Sequence, residues 1–260
     1  KTTAQLRRVL VLDPNAATAK MLAELLRSLI PNCQVHVAQT ETRAMGILEA
    51  LNPQLIFVEC KGSELDGLSF TRTLRRSDLS ARTIPVIAVT AEPTAAAIMG
   101  ARDAGVHEFL RRPFNMGDLK KRLDAIVLKP RDWIEAVNYV GPDRRRFNSA
   151  DYKGPRKRRG EGGPAIFQRI AQAIKIVQSA VGALECDPKQ ALRALNAQAR
   201  ILADASAGRE SLSGLETAAL ELEIYLRSIA KTQAPQRQEI ERFAAQLYAA
   251  TPQDALDKAA

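Results

Sequence analysis

The stretch Tyr139-Val140-Gly141-Pro142-Asp143-Arg144-Arg145-Arg146 recurs thirteen residues later as Tyr152-Lys153-Gly154-Pro155-Arg156-Lys157-Arg158-Arg159. Each copy sets an aromatic ring and a Gly-Pro corner, with its fixed proline φ, beside a cluster of cationic side chains. Guanidinium forks contact phosphates and carboxylates bidentately, and an interleaved Tyr stacks on a base or on a guanidinium. The repeat therefore suits an anionic nucleotide, a nucleic acid or an acidic protein face. Tyr139, Tyr152, Arg144, Arg145, Arg146, Arg156, Arg158 and Arg159 are its binding candidates. Two other readings compete: the arginines wrap back onto Asp and Glu of the flanking domains as a staple, or the stretch is a solvated linker.

The remaining reactive residue types are scattered. His36 and His107 each stand without neighbouring ligand-type residues, which favours surface or satisfied histidines over metal ligands or phosphorelay donors. Cys33, Cys60 and Cys186 are far apart and lack C-x-x-C spacing, so buried thiols are expected in place of disulfides or a zinc site. No nucleophile and base pair, phosphate-cradling Gly loop or metal cluster is legible. Neither an enzyme nor a cofactor is expected.

The chain of 260 residues carries 38 basic against 29 acidic groups, and residues 129–162 alone hold 10 and 5 of them. That stretch also gathers Gly141-Pro142, Gly154-Pro155 and Gly162-Gly163-Pro164, which break helices. The length suits two folded domains. The organisation expected is a domain over 1–128, an arginine-rich connector over 129–163 and a second domain over 164–260. No apolar run approaches the ~20 residues of a membrane span, and no secretory signal is visible. A cytoplasmic protein without membrane insertion is the expectation.

The elements that must position these residues alternate in type. Val9–Leu12, Cys33–Ala38, Leu55–Val58, Val86–Val89 and Glu108–Leu110 read as strands. Ala16–Leu29, Glu41–Leu51, Gly67–Arg76, Thr94–Ala104 and Met116–Leu128 read as helices. This β/α alternation predicts an α/β fold with a doubly wound five-stranded parallel sheet, whose ligands gather at the C-terminal strand edge.

The strand ends carry a resemblance. Val9-Leu10-Val11-Leu12-Asp13, Pro53 through Glu59, Leu65-Asp66-Gly67, Pro85 through Ala91 and Ala104 through Phe114 together resemble the receiver domain of bacterial response regulators over about half the chain. The resemblance implies the chemotaxis-response-regulator fold and a place in two-component signalling. It also implies an acceptor Asp after strand three and a divalent cation held by that Asp and two acids after strand one. Here the acceptor position, eight residues before Gly67, is Glu59, whose carboxylate stands one methylene further out and is misplaced for in-line attack. Asp13 is present, but Pro14 replaces the second acid and offers a hard cation no side-chain oxygen. Arg112, before Pro113, replaces the Lys that grips phosphoryl oxygens. Thr90 and Phe109, at the hydroxyl and aromatic-switch positions, are retained. These departures predict a pseudo-receiver that does not turn over phosphoryl groups, with weak Glu phosphorylation as the alternative. Glu59 reaches Arg112 or Thr90, either as a standing substitute for a phosphorylated acceptor or as half of a partly buried ion pair. The connector is similar in composition to arginine-rich extensions of receiver-like proteins that bind cyclic di-GMP, and the PilZ pattern is absent.

From Pro164 onward the reading is helical. Ile166, Ile170, Ile174, Val177, Val181 and Leu184 form one seam, and a second helix opens with the cap Asp187-Pro188. Leu212 through Ile229 and Ile240, Phe243 and Leu247 give a third and a fourth helix. The seams predict an α-helical bundle, complete in one chain or shared in a homodimer. No His lies between residues 108 and 260, so histidine phosphotransfer is excluded there. Together these features predict a non-enzymatic signalling protein that works through protein partners. The competing function is an effector that binds an anionic nucleotide, such as cyclic di-GMP, or nucleic acid at the connector. Trp133 is expected to continue the last helix of the first domain.

Overall fold

The computed structural model describes residues 6–60, 65–128, 131–144, 165–232 and 236–259. The chain divides into two units, one of residues 1–134 and 139–153, the other of residues 135–138 and 154–260.

The first unit is built on β1 (Arg8–Leu12), β2 (Gln34–Ala38), β3 (Leu55–Glu59), β4 (Val86–Thr90) and β5 (Glu108–Arg111). They pair in parallel in the order β2-β1-β3-β4-β5. Apolar residues occupy both faces of the central strands, as a parallel sheet covered by helices on both sides requires. Val9, Val11, Leu55 and Phe57 pack with Leu22 and Leu26 of α1 (Ala16–Leu29) and Leu119 and Leu123 of α5 (Met116–Leu128). Their alternates Leu10, Leu12, Ile56 and Val58 pack with Leu48 of α2 (Glu41–Leu51), Phe70 and Leu74 of α3 (Gly67–Arg76) and Ala101 of α4 (Ala95–Asp103). Asn15, Thr40, Asp66 and Thr94 start the first four of these helices by accepting N–H bonds through their side chains. The predicted α/β order is thus observed.

After α5 the chain does not continue as a helix. Pro130 has no N–H to donate to a helical ladder, and Trp133 instead opens β6 (Trp133–Glu135), which forms a two-stranded sheet with β7 (Val140–Pro142). The expected helical continuation at Trp133 is corrected accordingly. Tyr139 Oη donates to the Pro142 carbonyl at the end of β7 at 2.6 Å.

The second unit is helical: α6 (Ala165–Gly182), α7 (Pro188–Ser206), α8 (Ser213–Thr232), α9 (Arg237–Ala250) and α10 (Gln253–Ala259). Ile170, Ile174 and Val177 meet Leu195, Leu202, Leu215, Leu222, Ile240 and Leu247 in one core. The seams therefore close on one another within the chain. A fifth helix, α10, joins the four expected ones and buries Ala255. Glu135–Asn138 belong to this unit: Val137 enters its core, and Gln190 Nε2 and Gln198 Nε2 donate to the Glu135 carboxylate (2.8 Å) and carbonyl (3.0 Å). Cys33 and Cys60 are buried, whereas Cys186 is exposed in the turn before α7, which corrects the expectation of three buried thiols. No described helix is long and apolar enough to cross a membrane.

Candidate functional site at the C-terminal edge of the sheet

Three strands end side by side in polar residues. Asp13 follows β1, Glu59 ends β3 and Thr90 ends β4, all three buried. Parallel pairing brings them to one edge: Leu12 lies beside Val58, and Glu59 beside Val89. Arg112, one residue beyond β5, turns back over that edge. Its Nη1 donates to Glu59 Oε2 and its Nη2 to Asp13 Oδ2, the latter at 2.9 Å. One guanidinium thus serves two carboxylates from two different strands.

The rest of the pocket orients these groups. The Asn15 N–H donates to Asp13 Oδ1 at 2.9 Å, and Thr18 Oγ1 donates to Asp13 Oδ2 at 2.7 Å, so the carboxylate is held from both oxygens. Thr90 Oγ1 accepts from the Glu92 N–H at 3.1 Å. Gly67 passes so close to β3 that a Cβ there would stand 2.2 Å from the Glu59 carbonyl oxygen, which accounts for glycine at the start of α3. Phe109 is buried with Ala88, Ala101 and Val106 beneath the site. Beside Glu59, burial and the negative charges of Glu59 and Asp66 push the Cys60 thiol up to about 12, which keeps it protonated and poorly nucleophilic.

A divalent cation of the kind the receiver fold implies needs several oxygen ligands converging on one point. The donor set here does not supply them. Pro14 contributes no side-chain oxygen, and the inner faces of Asp13 and Glu59 already meet a guanidinium. Among the described residues no group of three or more His, Cys, Asp or Glu side chains converges.

The sequence-predicted residues fall into two separate places. Asp13, Pro14, Glu59, Thr90, Arg112 and Phe109 surround the sheet edge. Tyr139 and Arg144 belong to the β6–β7 hairpin and the residues just after it, where Arg144 lies 4.4 Å over the Tyr139 ring and pairs with Asp103 at 3.0 Å. Arg145, Arg146, Tyr152, Arg156, Arg158 and Arg159 lie outside the described residues.

Sequence reasoning missed two groups. Thr18 was recognisable only as a hydroxyl one turn into the helix after Asp13. Arg75 was visible as a cation at a core position of α3, in register with buried Phe70, Thr71 and Leu74. It is 1% exposed and donates to the carbonyls of Gly105 (3.0 Å), Arg82 (2.6 Å) and Ile84 (2.9 Å). Its guanidinium also lies 5.2 Å from the Trp133 ring centroid, and burial pushes its pKa down to about 9.

The profile of the response regulator receiver domain family matches residues 9–124. The KDP operon transcriptional regulatory protein KdpE of Escherichia coli (strain K12) is 32% identical over 104 residues, 39% of this chain and 44% of that protein. Response regulator MprA of Mycobacterium avium (strain 104) is 29% identical over 133 residues, 50% of this chain and 56% of that protein. Among solved structures, the signal receiver domain of a DNA-binding response regulator from Colwellia psychrerythraea 34H aligns with 47% of this chain and 99% of its own, at 22% identity and a TM-score of 0.43. The chain spans about half the length of the curated relatives it matches. The family match falls on the segment that holds the parallel sheet and its acidic edge, and residues 9–124 are accordingly a response regulator receiver domain.

Proposed function

We propose that the protein is a signalling component whose receiver works without phosphoryl transfer and acts by binding other proteins. The observation that carries this reading is the Arg112 guanidinium shared by Asp13 and Glu59. In the receiver pattern a cation and a phosphoryl group meet at this point. Here a tethered cation already occupies the acidic pocket and offsets one of its two carboxylate charges, and the carboxylate at the acceptor position is engaged by it. Glu59 is also one methylene longer than Asp, so its oxygens occupy a different place from those of an acceptor aligned for in-line attack. The pocket is therefore held in one ion-paired arrangement, and the surfaces it controls stay in one shape.

The helical unit supports a binding role over a catalytic one. Its core is apolar and closed, and its charged groups face outward in pairs such as Arg200–Glu223 and Arg237–Glu241. The test is incubation of the full chain with acetyl phosphate and magnesium, followed by intact mass measurement. No phosphoryl adduct is expected. An adduct that disappears in Glu59→Gln would overturn the reading. The triple change Pro14→Asp, Glu59→Asp and Arg112→Lys should create acid-labile phosphorylation, because it restores the acid pair, the shorter acceptor and an unforked cation.

A further inference from the structure

A second charged feature lies at the outer edge of the sheet, beside edge strand β2. Ala16, Lys20, Ala23 and Arg27 of α1, Val37 of β2, Gln39 and Arg43 line a groove of about 430 Å³, within the range of small-molecule sites. The helix residues recur at intervals of 4, 3 and 4, so they form a single stripe down α1 in which a small residue alternates with a cation. Alanine at 16 and 23 leaves the groove open. Lys20 and Arg27, seven residues apart, set two positive charges roughly 10 Å apart along the helix axis. Arg43 brings a third from the first turn of α2.

These cations differ from three others in the domain. Arg112, Arg122 and Arg144 are paired with carboxylates. Lys20, Arg27 and Arg43 have no carboxylate partner among the described residues, and no acidic residue lines the groove. Arg27 is held in place by donating Nη2 to the Val35 carbonyl at 3.3 Å. The walls between the cations are apolar, formed by Ala16, Ala23 and Val37. Glu24 and Glu41 are exposed on the two helices that supply the cations, which opposes a long polyanion running past the groove in either direction.

We infer that this groove binds a nucleotide carrying at least two phosphate groups, with the phosphates on Lys20, Arg27 and Arg43 and an uncharged part of the ligand against Ala16, Ala23 and Val37. Guanidinium and ammonium groups left unpaired in a concave site gain most from a compact polyanion, and the apolar lining distinguishes a nucleotide from inorganic polyphosphate. The groove shares no lining residue with the acidic pocket or with the arginine-rich repeat, so it stands or falls independently of the function proposed above.

The test is calorimetric titration of the full chain with GTP, ATP, cyclic di-GMP and inorganic pyrophosphate. At least one nucleotide should bind saturably, and pyrophosphate at least tenfold more weakly. The double variant Lys20→Glu, Arg43→Glu should lower nucleotide affinity by tenfold or more, and Ala16→Phe should do the same by filling the groove without a change of charge. Replacement of Arg144, Arg145, Arg158 and Arg159 by Ala should leave the affinity unchanged. Absence of saturable binding by all three nucleotides, pyrophosphate binding as tightly as they do, or nucleotide affinity that survives Ala16→Phe would overturn the inference. Loss of affinity on replacing the connector arginines would overturn it in favour of the connector.

Discussion

Arg112 and Arg75 are both withdrawn from bulk water in the same domain, and their surroundings satisfy them in opposite ways. Arg112 sits among carboxylates, with Asp13 and Glu59 on its two terminal nitrogens and 18% of its side chain exposed. Arg75 has no carboxylate partner among the described residues and is bound by three main-chain carbonyls and the face of Trp133. The first arrangement is an attraction of formal charges in which another cation can take the guanidinium's place. The second is a set of hydrogen bonds to main-chain oxygens. Ion pairing therefore governs one end of the sheet, and hydrogen-bond geometry governs the other.

The largest expected effect of breaking this contrast is at Arg75. Arg75→Met fills a similar volume but orphans the carbonyls of Gly105, Arg82 and Ile84, each costing about 1–3 kcal/mol when buried and unpaired. The domain should lose more than about 3 kcal/mol of stability on that arithmetic. Trp133 is the single tryptophan of the chain and lies in this unit, so its fluorescence during urea unfolding reports the change. An unshifted midpoint would mean that the carbonyls find other donors.

Arg112→Met should cost about 3 kcal/mol, because it leaves Asp13 and Glu59, both buried, without their cation. Its diagnostic sign is a response to magnesium. With the guanidinium gone, Asp13 and Glu59 become available to a hard cation, and millimolar magnesium should raise the unfolding midpoint of the variant while leaving the natural protein unchanged. A variant indifferent to magnesium would show that the missing acid at Pro14, and not Arg112, decides the metal chemistry.

The smallest expected effect belongs to His107, next to Arg75. Its Nδ1 accepts from the Val86 N–H at 3.3 Å, and desolvation, followed by the charges of Arg75 and Arg131, holds its pKa well below the usual histidine value. The unfolded chain then takes up the proton first, near pH 6.5. This contribution to stability is complete above about pH 6.5 and is lost as the pH falls through and below that value. Replacing His107 with Asn, which keeps an acceptor for Val86, should flatten the pH dependence of the urea midpoint between about pH 7 and 5. A slope that persists in His107→Asn would assign it to other groups.

The two ends also differ in how far the sequence reveals them. The β/α alternation shows the sheet and its helices, because each strand is a short apolar run and each helix repeats its apolar face every three or four residues. Asp13, Glu59, Thr90 and Arg112 stand at the ends of those runs, so their convergence follows once the sheet is parallel. What does not follow is that Arg112 reaches both carboxylates, since this depends on the path of the chain after β5. The Arg75 cluster is hidden for a different reason: its partners are main-chain carbonyls, which every residue carries and no sequence pattern marks. The β6–β7 hairpin escapes notice because its strands have three residues each, too few to show alternation. In the second unit the seams predict four helices, while α10 is too short to present one.

Gly105, in the left-handed region at φ +84°, has room for no side chain: a Cβ there would stand 2.6 Å from the Val140 carbonyl, and one on Gly141 would stand 2.7 Å from the Gly105 Cα. Main chain touches main chain at this point, between the end of α4 and a hairpin that begins after the family match has ended. The heritable module and the physical module therefore have different borders. A chimera that joins residues 9–124 to a foreign output domain would carry the receiver signature yet leave Arg75 without its Trp133 cover. Recombination of this domain, by evolution or by design, has to keep Trp133 and Val140 to preserve the contacts at Arg75 and Gly105.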